Sequence, residues 1–231
     1  MRTIGLIGGM SWESSSQYYQ IVNRSVREAL GGVHSARCLL HSVDFGEVAP
    51  LQAAGEWDRL GAMLVAAGRS LKAGGADFLV LCTNTMHLLA DRLESEAGLP
   101  LLHIVDPTAR AIASAGYRRV GLLGTAFTME KAFYRQRLAD RFGIEAIVPD
   151  PADRAQVHRV IYEELVSGQV LPQSRADYVA IIARLQAAGA EAVILGCTEI
   201  MLLIGEDDSP LPLFDTTRLH ARAAAEHALA G

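Results

Sequence analysis

Short apolar stretches rich in Val, Ile and Leu alternate along the chain with longer segments of helical period. A strand followed by a crossover helix places the next strand parallel to the first, so this order of elements predicts an α/β protein with parallel sheets. The predicted strands cover residues 3–8, 37–43, 78–81, 101–105, 120–123, 145–148, 192–196 and 211–214.

Side chains that can cap a helix precede several of the helical segments. Ser11 and Ser14 stand before the first helix, and Asn84 stands before the one that follows residues 78–81. Thr128 precedes the segment MEKAFYRQRLADRF. The last helix is predicted at residues 216–230.

Three pieces of the first half of the chain recur in the same order in the second half. "RTIGLIG" returns as "RRVGLLG", "GGADFLVLCT" as "AGAEAVILGCT", and "LPLLHIVDPT" in the shortened form "LPLFDTT". This repeat predicts a duplicated chain with two pseudo-symmetric, doubly wound parallel-sheet halves. The first half is expected to comprise residues 1–105 with 216–231, and the second residues 106–215.

Two cysteines follow strands of the predicted sheets. The repeat sets Cys82 against Cys197, and ligands of open parallel sheets bind outside the carboxyl ends of the strands. We therefore expect both thiols in a cleft between the halves, each before a helix N-terminus that favours the thiolate. Two other interpretations are small buried apolar side chains and a redox pair.

Two thiols on opposite sides of one carbon are suited to racemisation, in which one group removes a proton and the other returns one. A carbon acid such as the α-carbon of an amino acid is weakly acidic, so the site must hold the carboxylate and exclude water. Glu199, two residues after Cys197, is a candidate for keeping that thiol protonated or relaying its proton. Its alternative role is to pair with a helix N-terminus.

The segments "LCTNTMH" and "GCTEI", together with "GLIGGMSWESS" and "LLGTAFTM", resemble the aspartate/glutamate racemase family. The resemblance extends over nearly the whole chain and is closest to bacterial members of broad or L-aspartate/glutamate specificity. It implies a racemase that needs no pyridoxal phosphate or other cofactor, with Cys82 and Cys197 as the acid/base pair. It also implies a set of substrate-binding residues: Met10, Gln52, Asn84, Thr85, Thr125, Thr128, Thr198 and Glu199.

The chain departs from the aspartate-specific pattern where that pattern implies positive charge. Gln52 in "PLQAAG" and Val166 in "IYEELVSG" stand near the positions of an expected Arg and Lys. A side-chain carboxylate of the substrate would lack these counter-ions, so the sequence favours substrates with neutral or mixed side chains.

Composition narrows the possible partners. The 231 residues carry a formal net charge of -5 with no basic stripe, which disfavours nucleic acid and anionic membranes. No segment has the apolar length of a membrane span, and we expect a cytoplasmic protein. The cysteines and histidines lack metal-ligand spacing, and "GLIGGM" lacks the spacing of a dinucleotide loop, so neither metal nor NAD is expected. The expected partners are an amino-acid substrate and, from the resemblance, a second copy of the chain.

Other functions remain open at this point. A hydantoin racemase, a maleate isomerase or a malonate decarboxylase of the same superfamily would use cysteines in related ways. A small-molecule binding protein without turnover would retain the fold but not the chemistry.

Overall fold

The computed structural model describes all residues from 1 to 231 and contains two parallel four-stranded sheets. The first sheet has the order β2-β1-β3-β4 and the second β6-β5-β7-β8, so the same strand order occurs twice. The strands are β1 Ile4–Gly8, β2 Cys38–Ser42, β3 Phe78–Leu81, β4 Leu101–Leu102, β5 Arg119–Gly124, β6 Glu145–Ile147, β7 Ala192–Gly196 and β8 Leu213–Asp215.

Eleven α-helices connect and flank these strands. They are α1 Trp12–Leu30, α2 Phe45–Ala54, α3 Trp57–Ala73, α4 Ala90–Ala97, α5 Val105–Ser114, α6 Ala126–Glu130, α7 Ala132–Phe142, α8 Pro151–Glu163, α9 Pro172–Ala187, α10 Ile200–Leu203 and α11 Thr216–Leu229. Short 3₁₀ turns cover Thr85–Leu89, Leu165–Ser167 and Glu206–Asp208. The predicted α/β class with two parallel doubly wound sheets is confirmed.

The chain divides into two compact units. The first comprises Met1–Ile104 with His220–Gly231, and the second comprises Val105–Leu219. Helix α11 thus begins in the second unit and continues in the first. The central strands β1, β3 and β7 are buried along their whole length, which fits the continuous apolar sequence of strands covered on both faces.

Each unit has its own apolar core. In the first unit one cluster includes Ile7 and Leu79, and a separate cluster includes Ile4 and Val80. Neighbouring residues of a strand face opposite sides of the sheet, so the two clusters are the two layers that cover it. In the second unit a large cluster lies under β7 and gathers residues of α8 and α9.

The strand predicted at residues 101–105 is shorter in the structure. Pairing with β3 ends at Leu102, and α5 begins at Val105. The apolar run continues past the end of the strand because Val105 is a buried residue of the first helical turn. Pro107 fits that first turn, where its missing N–H has no partner to lose.

The caps of the early helices are only partly as predicted. Ser11 caps α1 and accepts a hydrogen bond from the Ser14 amide, so Ser14 lies inside the helix. Thr125, rather than the predicted Thr128, caps α6 and accepts from the amide of Thr128. The helix then breaks at Lys131, which has extended ψ, before α7 begins.

The loop between β1 and α1 has an unusual backbone. Gly9 has φ +90° and Ser11 has φ +138°, a conformation that non-glycine residues rarely adopt. The Gly9 amide donates to the Ser15 hydroxyl, and that hydroxyl donates to the Ser11 carbonyl. These bonds hold the loop against the first turns of α1. None of the helices in the structure combines the length and apolar character needed to cross a bilayer.

The Gly9 backbone yields a prediction about stability. A Cβ at Gly9 would collide with the carbonyl oxygen of Val43, whereas no atom lies within 4 Å of a Cβ at Gly31, which also has positive φ. Positive φ alone costs an L-residue roughly 1–2 kcal/mol, and overpacking adds about 1–3 kcal/mol. We expect Gly9→Ala to lower the free energy of unfolding in urea more than Gly31→Ala does. Equal losses would contradict the close approach at Val43.

Candidate active site at the carboxyl ends of the central strands

In the first unit, candidate residues gather beyond the end of β1. Met10 follows the strand and packs in the same apolar cluster as Met86 and Val48. Gln52 is buried on α2, and its side-chain amide donates to the Met86 sulfur at 3.2 Å. Gln52 is therefore a buried helical residue with a fixed amide.

The loop after β3 carries the other polar candidates of this unit. Thr83, Asn84 and Thr85 are all buried. The Thr83 amide donates to the Leu81 carbonyl at 2.9 Å, so the chain turns sharply as soon as the strand ends. Asn84 and Thr85 then lie at the start of the 3₁₀ turn Thr85–Leu89, which is where the sequence placed a helix start.

Cys82 points into the core of the first unit. Its side chain is 1% exposed and belongs to the layer that contains Phe78, Val80 and Tyr18. The thiol makes only a long contact of 3.8 Å to the carbonyl of Val80. Burial raises the pKa of the Cys82 thiol, so this group is a neutral thiol at neutral pH.

Strand register corrects the expected equivalence of the two cysteines. In the first sheet Ile4 and Ile7 pair with Phe78 and Leu81. In the second sheet the matching residues of "RRVGLLG", Val120 and Leu123, pair with Ala192 and Leu195. Leu81 therefore corresponds to Leu195, and the residues after them can be matched one by one.

The residue that corresponds to Cys82 is Gly196, and the residue that corresponds to Cys197 is Thr83. The expected match of Cys82 with Cys197 is wrong by one residue, because the second copy of the segment has an extra glycine before its cysteine. Since side chains alternate across a sheet, this slip sends the two thiols in different directions from their strands.

In the second unit, Cys197 immediately follows β7 and is partly exposed. Its thiol donates to Oε2 of Glu199 at 2.9 Å, and the Thr198 hydroxyl donates to the same oxygen at 2.8 Å. Burial, the Glu199 charge and this hydrogen bond raise the pKa of the Cys197 thiol well above its ordinary value. Burial and Glu199 together thus keep Cys197 in the protonated form.

Thr125 and Thr128 lie at the end of β5, beside β7. Their hydroxyl oxygens are 3.3 Å apart, and both residues are buried. Gly124 and Gly196 pair at the ends of these strands, and a Cβ at Gly124 would lie 3.2 Å from the side chain of Thr128. The absence of a side chain at Gly124 lets Thr128 pack against the strand ends.

Sequence reasoning did not identify two aromatic side chains of α8 in the second unit. The His158 ring lies 4.7 Å from that of Tyr162, and its Nδ1 accepts from the Ala126 amide at 3.1 Å. Burial raises the pKa of Tyr162, and the nearby Glu199 charge raises it further. Tyr162 lies in the segment "IYEELVSG", in which the sequence analysis considered only Val166, near the position of an expected Lys. Val166 itself packs against the apolar core.

The candidate residues thus fall into two sets, one in each unit. Met10, Gln52, Cys82, Asn84 and Thr85 belong to the first unit, and Thr125, Thr128, Cys197, Thr198 and Glu199 to the second. Within the first unit Cys82 faces away from the layer of Met10. Within the second unit Cys197, Thr198 and Glu199 form one hydrogen-bonded group.

The Glu199 contact predicts how the Cys197 thiol ionises. Glu199→Gln removes a negative charge and keeps the size of the side chain, so the pKa of Cys197 falls and more thiolate is present near pH 8. We expect alkylation of Cys197 by iodoacetamide, followed by mass spectrometry, to become several-fold faster. The control is Glu206→Gln, an exposed glutamate of a different turn. Unchanged alkylation in Glu199→Gln would contradict the proposed hold on the thiol.

The position of Cys82 predicts a protected thiol. In the native protein, iodoacetamide should label the partly exposed Cys38 and Cys197 before Cys82. Labelling of Cys82 should require unfolding in urea, since its side chain is enclosed in the core. Native labelling of Cys82 at the rate of Cys38 would show that its side chain reaches solvent.

Comparison with known proteins identifies the family of this chain. The fold superposes with TM-score 0.92 on a provisionally assigned Asp/Glu racemase from Yersinia pestis, 52% identical, covering 99% of this chain and 100% of that one. It superposes with TM-score 0.84 on an aspartate racemase homologue from Pyrococcus horikoshii, 33% identical, with coverage of 99% and 100%. A broad specificity amino-acid racemase of Bacillus subtilis is 23% identical over 235 residues, 98% of each chain. The family model described as Asp/Glu/Hydantoin racemase matches residues 7–224, and the chain belongs to this family.

Proposed function

We propose that the protein is an amino-acid racemase that works without pyridoxal phosphate and moves the α-hydrogen by acid/base chemistry. The observation that carries the proposal is the Cys197–Glu199 pair at the carboxyl end of β7. Family membership and the amino-acid racemase of Bacillus subtilis support the choice of reaction and substrate class.

The protonated state of Cys197 assigns it a role. A thiol that a neighbouring carboxylate keeps protonated can deliver its proton to a carbanion, whereas proton removal requires the thiolate. Once Cys197 has delivered its proton to the carbanion it is a thiolate, and that thiolate is the base of the reverse step. Cys197 therefore acts as a proton donor in one direction and as a base in the other.

The α-carbanion needs hydrogen-bond donors around the substrate carboxylate, because negative charge develops there as the proton leaves. We assign this task to hydroxyls and amides of the candidate set, namely Asn84, Thr85, Thr125, Thr128 and Thr198. Met10 and Gln52 are assigned to the substrate side chain.

The second proton-transfer group is proposed to lie at the end of β3, where the sequence analysis predicts Cys82. Two features of the first unit instead favour Thr83: the strand register, and the burial of Cys82 in the core. A hydroxyl is a much weaker acid than a thiol, so α-hydrogen exchange should be faster from the side served by Cys197.

The substrate is proposed to be an amino acid with a neutral or mixed side chain. Gln52 is buried and donates to a methionine sulfur, and Val166 packs in the apolar core. Neither residue can pair with a second carboxylate as Arg or Lys would. Broad specificity is consistent with the Bacillus subtilis relative.

The test is exchange and inversion in deuterium oxide with single L- and D-amino acids, and with a 5-substituted hydantoin as the alternative substrate. We expect α-deuterium and the opposite enantiomer to accumulate with amino acids. Cys197→Ser should lower both at least about 100-fold, the usual contribution of a general acid or base. Cys38→Ser is the matched control, since Cys38 lies on the edge strand β2.

Two further variants identify the second group. We expect Thr83→Val to reduce inversion strongly while Cys82→Ala mainly lowers stability. The opposite result, in a folded Cys82→Ala variant, would restore Cys82 as the partner of Cys197. No exchange with any amino acid, but turnover of the hydantoin, would replace the amino-acid assignment. The absence of both exchange and inversion with every compound would reject the racemase proposal.

A further inference from the structure

His87 is a buried residue of the loop that follows β3, and both of its ring nitrogens are hydrogen-bonded. Nδ1 lies 2.7 Å from the carbonyl oxygen of Thr83, and Nε2 lies 3.2 Å from the Ile104 amide. A carbonyl can only accept and an amide N–H can only donate, so Nδ1 carries the proton and Nε2 accepts. Both bonds form only in this neutral tautomer.

His87 belongs to a group of three buried histidines in the first unit. The His103 and His220 rings have centroids 4.6 Å and 5.8 Å from that of His87. The His220 Nε2–H donates to the Leu102 carbonyl at 2.8 Å, and its Nδ1 is hydrogen-bonded to the Tyr18 hydroxyl at 2.9 Å. A carbonyl can only accept, so Nε2 of His220 carries a proton, whereas the Tyr18 hydroxyl can either donate to Nδ1 or accept from it. Protonation of His87, in contrast, would cost its bond to the Ile104 amide.

The two bonds of His87 attach the β3 loop to a place where the chain passes between its two units. Ile104 is the last residue of the first unit before the chain enters the second, and His220 is the first residue after its return. The His87 ring therefore links the Thr83 carbonyl to Ile104, where the chain leaves the first unit. His220 bonds to the carbonyl of Leu102, two residues before Ile104.

The second half of the duplicated chain has an apolar residue at the position of His87. His87 is the sixth residue after Leu81, and the sixth residue after the corresponding Leu195 is Met201. Met201 packs against the apolar core of the second unit. Met201 belongs to the α-helix α10, whereas His87 belongs to the 3₁₀ turn Thr85–Leu89, so the polar ring accompanies a loop of different backbone from that of the second unit.

We propose that His87 is a positioning residue for the proposed racemase site: its Nδ1–H fixes the Thr83 carbonyl and thereby holds Thr83, Asn84 and Thr85 in place. His87 itself does not touch the substrate. The inference rests on the proposed function, because that function gives these three loop residues their role. The Ile104 amide in turn holds the ring in the tautomer that donates to Thr83.

The first test is independent of activity. Long-range proton–nitrogen NMR of the folded wild-type protein at pH 7 reports the tautomer of each histidine, and the signals lost in His87→Asn identify this ring. We expect the Nδ1–H tautomer. The Nε2–H tautomer or a charged imidazolium at pH 7 would overturn the proposal, whether or not the protein proves to be a racemase.

The second test separates positioning from packing by comparing two variants. In His87→Asn the side-chain amide can still donate to the Thr83 carbonyl, whereas His87→Leu fills the space without a donor. Both lose the acceptor for Ile104, so the difference between them isolates the Thr83 bond. Amide hydrogen exchange should show faster exchange at Asn84 and Thr85 in His87→Leu than in His87→Asn.

For α-hydrogen exchange, we expect kcat of His87→Leu to fall at least about ten-fold, corresponding to about 1.4 kcal/mol, while His87→Asn stays within about three-fold of wild type. His34→Asn, in an exposed loop, is the control for the substitution itself. Equal kcat and equal amide exchange in the Asn and Leu variants would show that the Thr83 bond does not position the loop. If the wild type has no racemase activity, the NMR and amide-exchange results still decide the role of His87.

Discussion

The pairing of β1 with β3, and of β5 with β7, determines which side chains reach the carboxyl edge of each sheet. Backbone hydrogen bonds fix the register, and successive side chains face opposite layers, so a shift of one residue exchanges core and edge. Cys82 extends this pairing through its amide, which donates to the Ile7 carbonyl at 2.9 Å. Its side chain must therefore follow Phe78 and Val80 into the core, and the chain turns only at Thr83.

Much of the fold could be predicted from sequence, because strands covered on both faces leave a simple signal of continuous apolar residues. The limits of β3 and β7 agree with the predicted ranges. The prediction overran β4 because Val105, although apolar, is buried by a helix rather than by a sheet. Thr125 was missed as a cap because Thr128 has equal capping chemistry, and only the backbone decides between them.

The candidate site was predictable in the second unit and less so in the first. Glu199 lies two residues from Cys197, and their contact could be inferred from that short separation. Cys82 was matched with Cys197 by an alignment that ignored the extra glycine before Cys197. The apolar composition of the two strands does not reveal this insertion. The partners of His87, at residues 83 and 104, depend on the path of the chain after β4. Tyr162 comes near Cys197 through the packing of α8, which no local pattern encodes.

The two halves treat the loop after their third strand in different ways. The second loop holds a carboxylate that accepts from Cys197 and Thr198, while the first is braced by a neutral imidazole. The carboxylate has a consequence for damage as well as for chemistry. Peroxides attack thiolates far faster than thiols, and sulfinic acid once formed is not readily reversed. By keeping Cys197 protonated, Glu199 shields the most exposed candidate for catalysis from oxidants between turnovers.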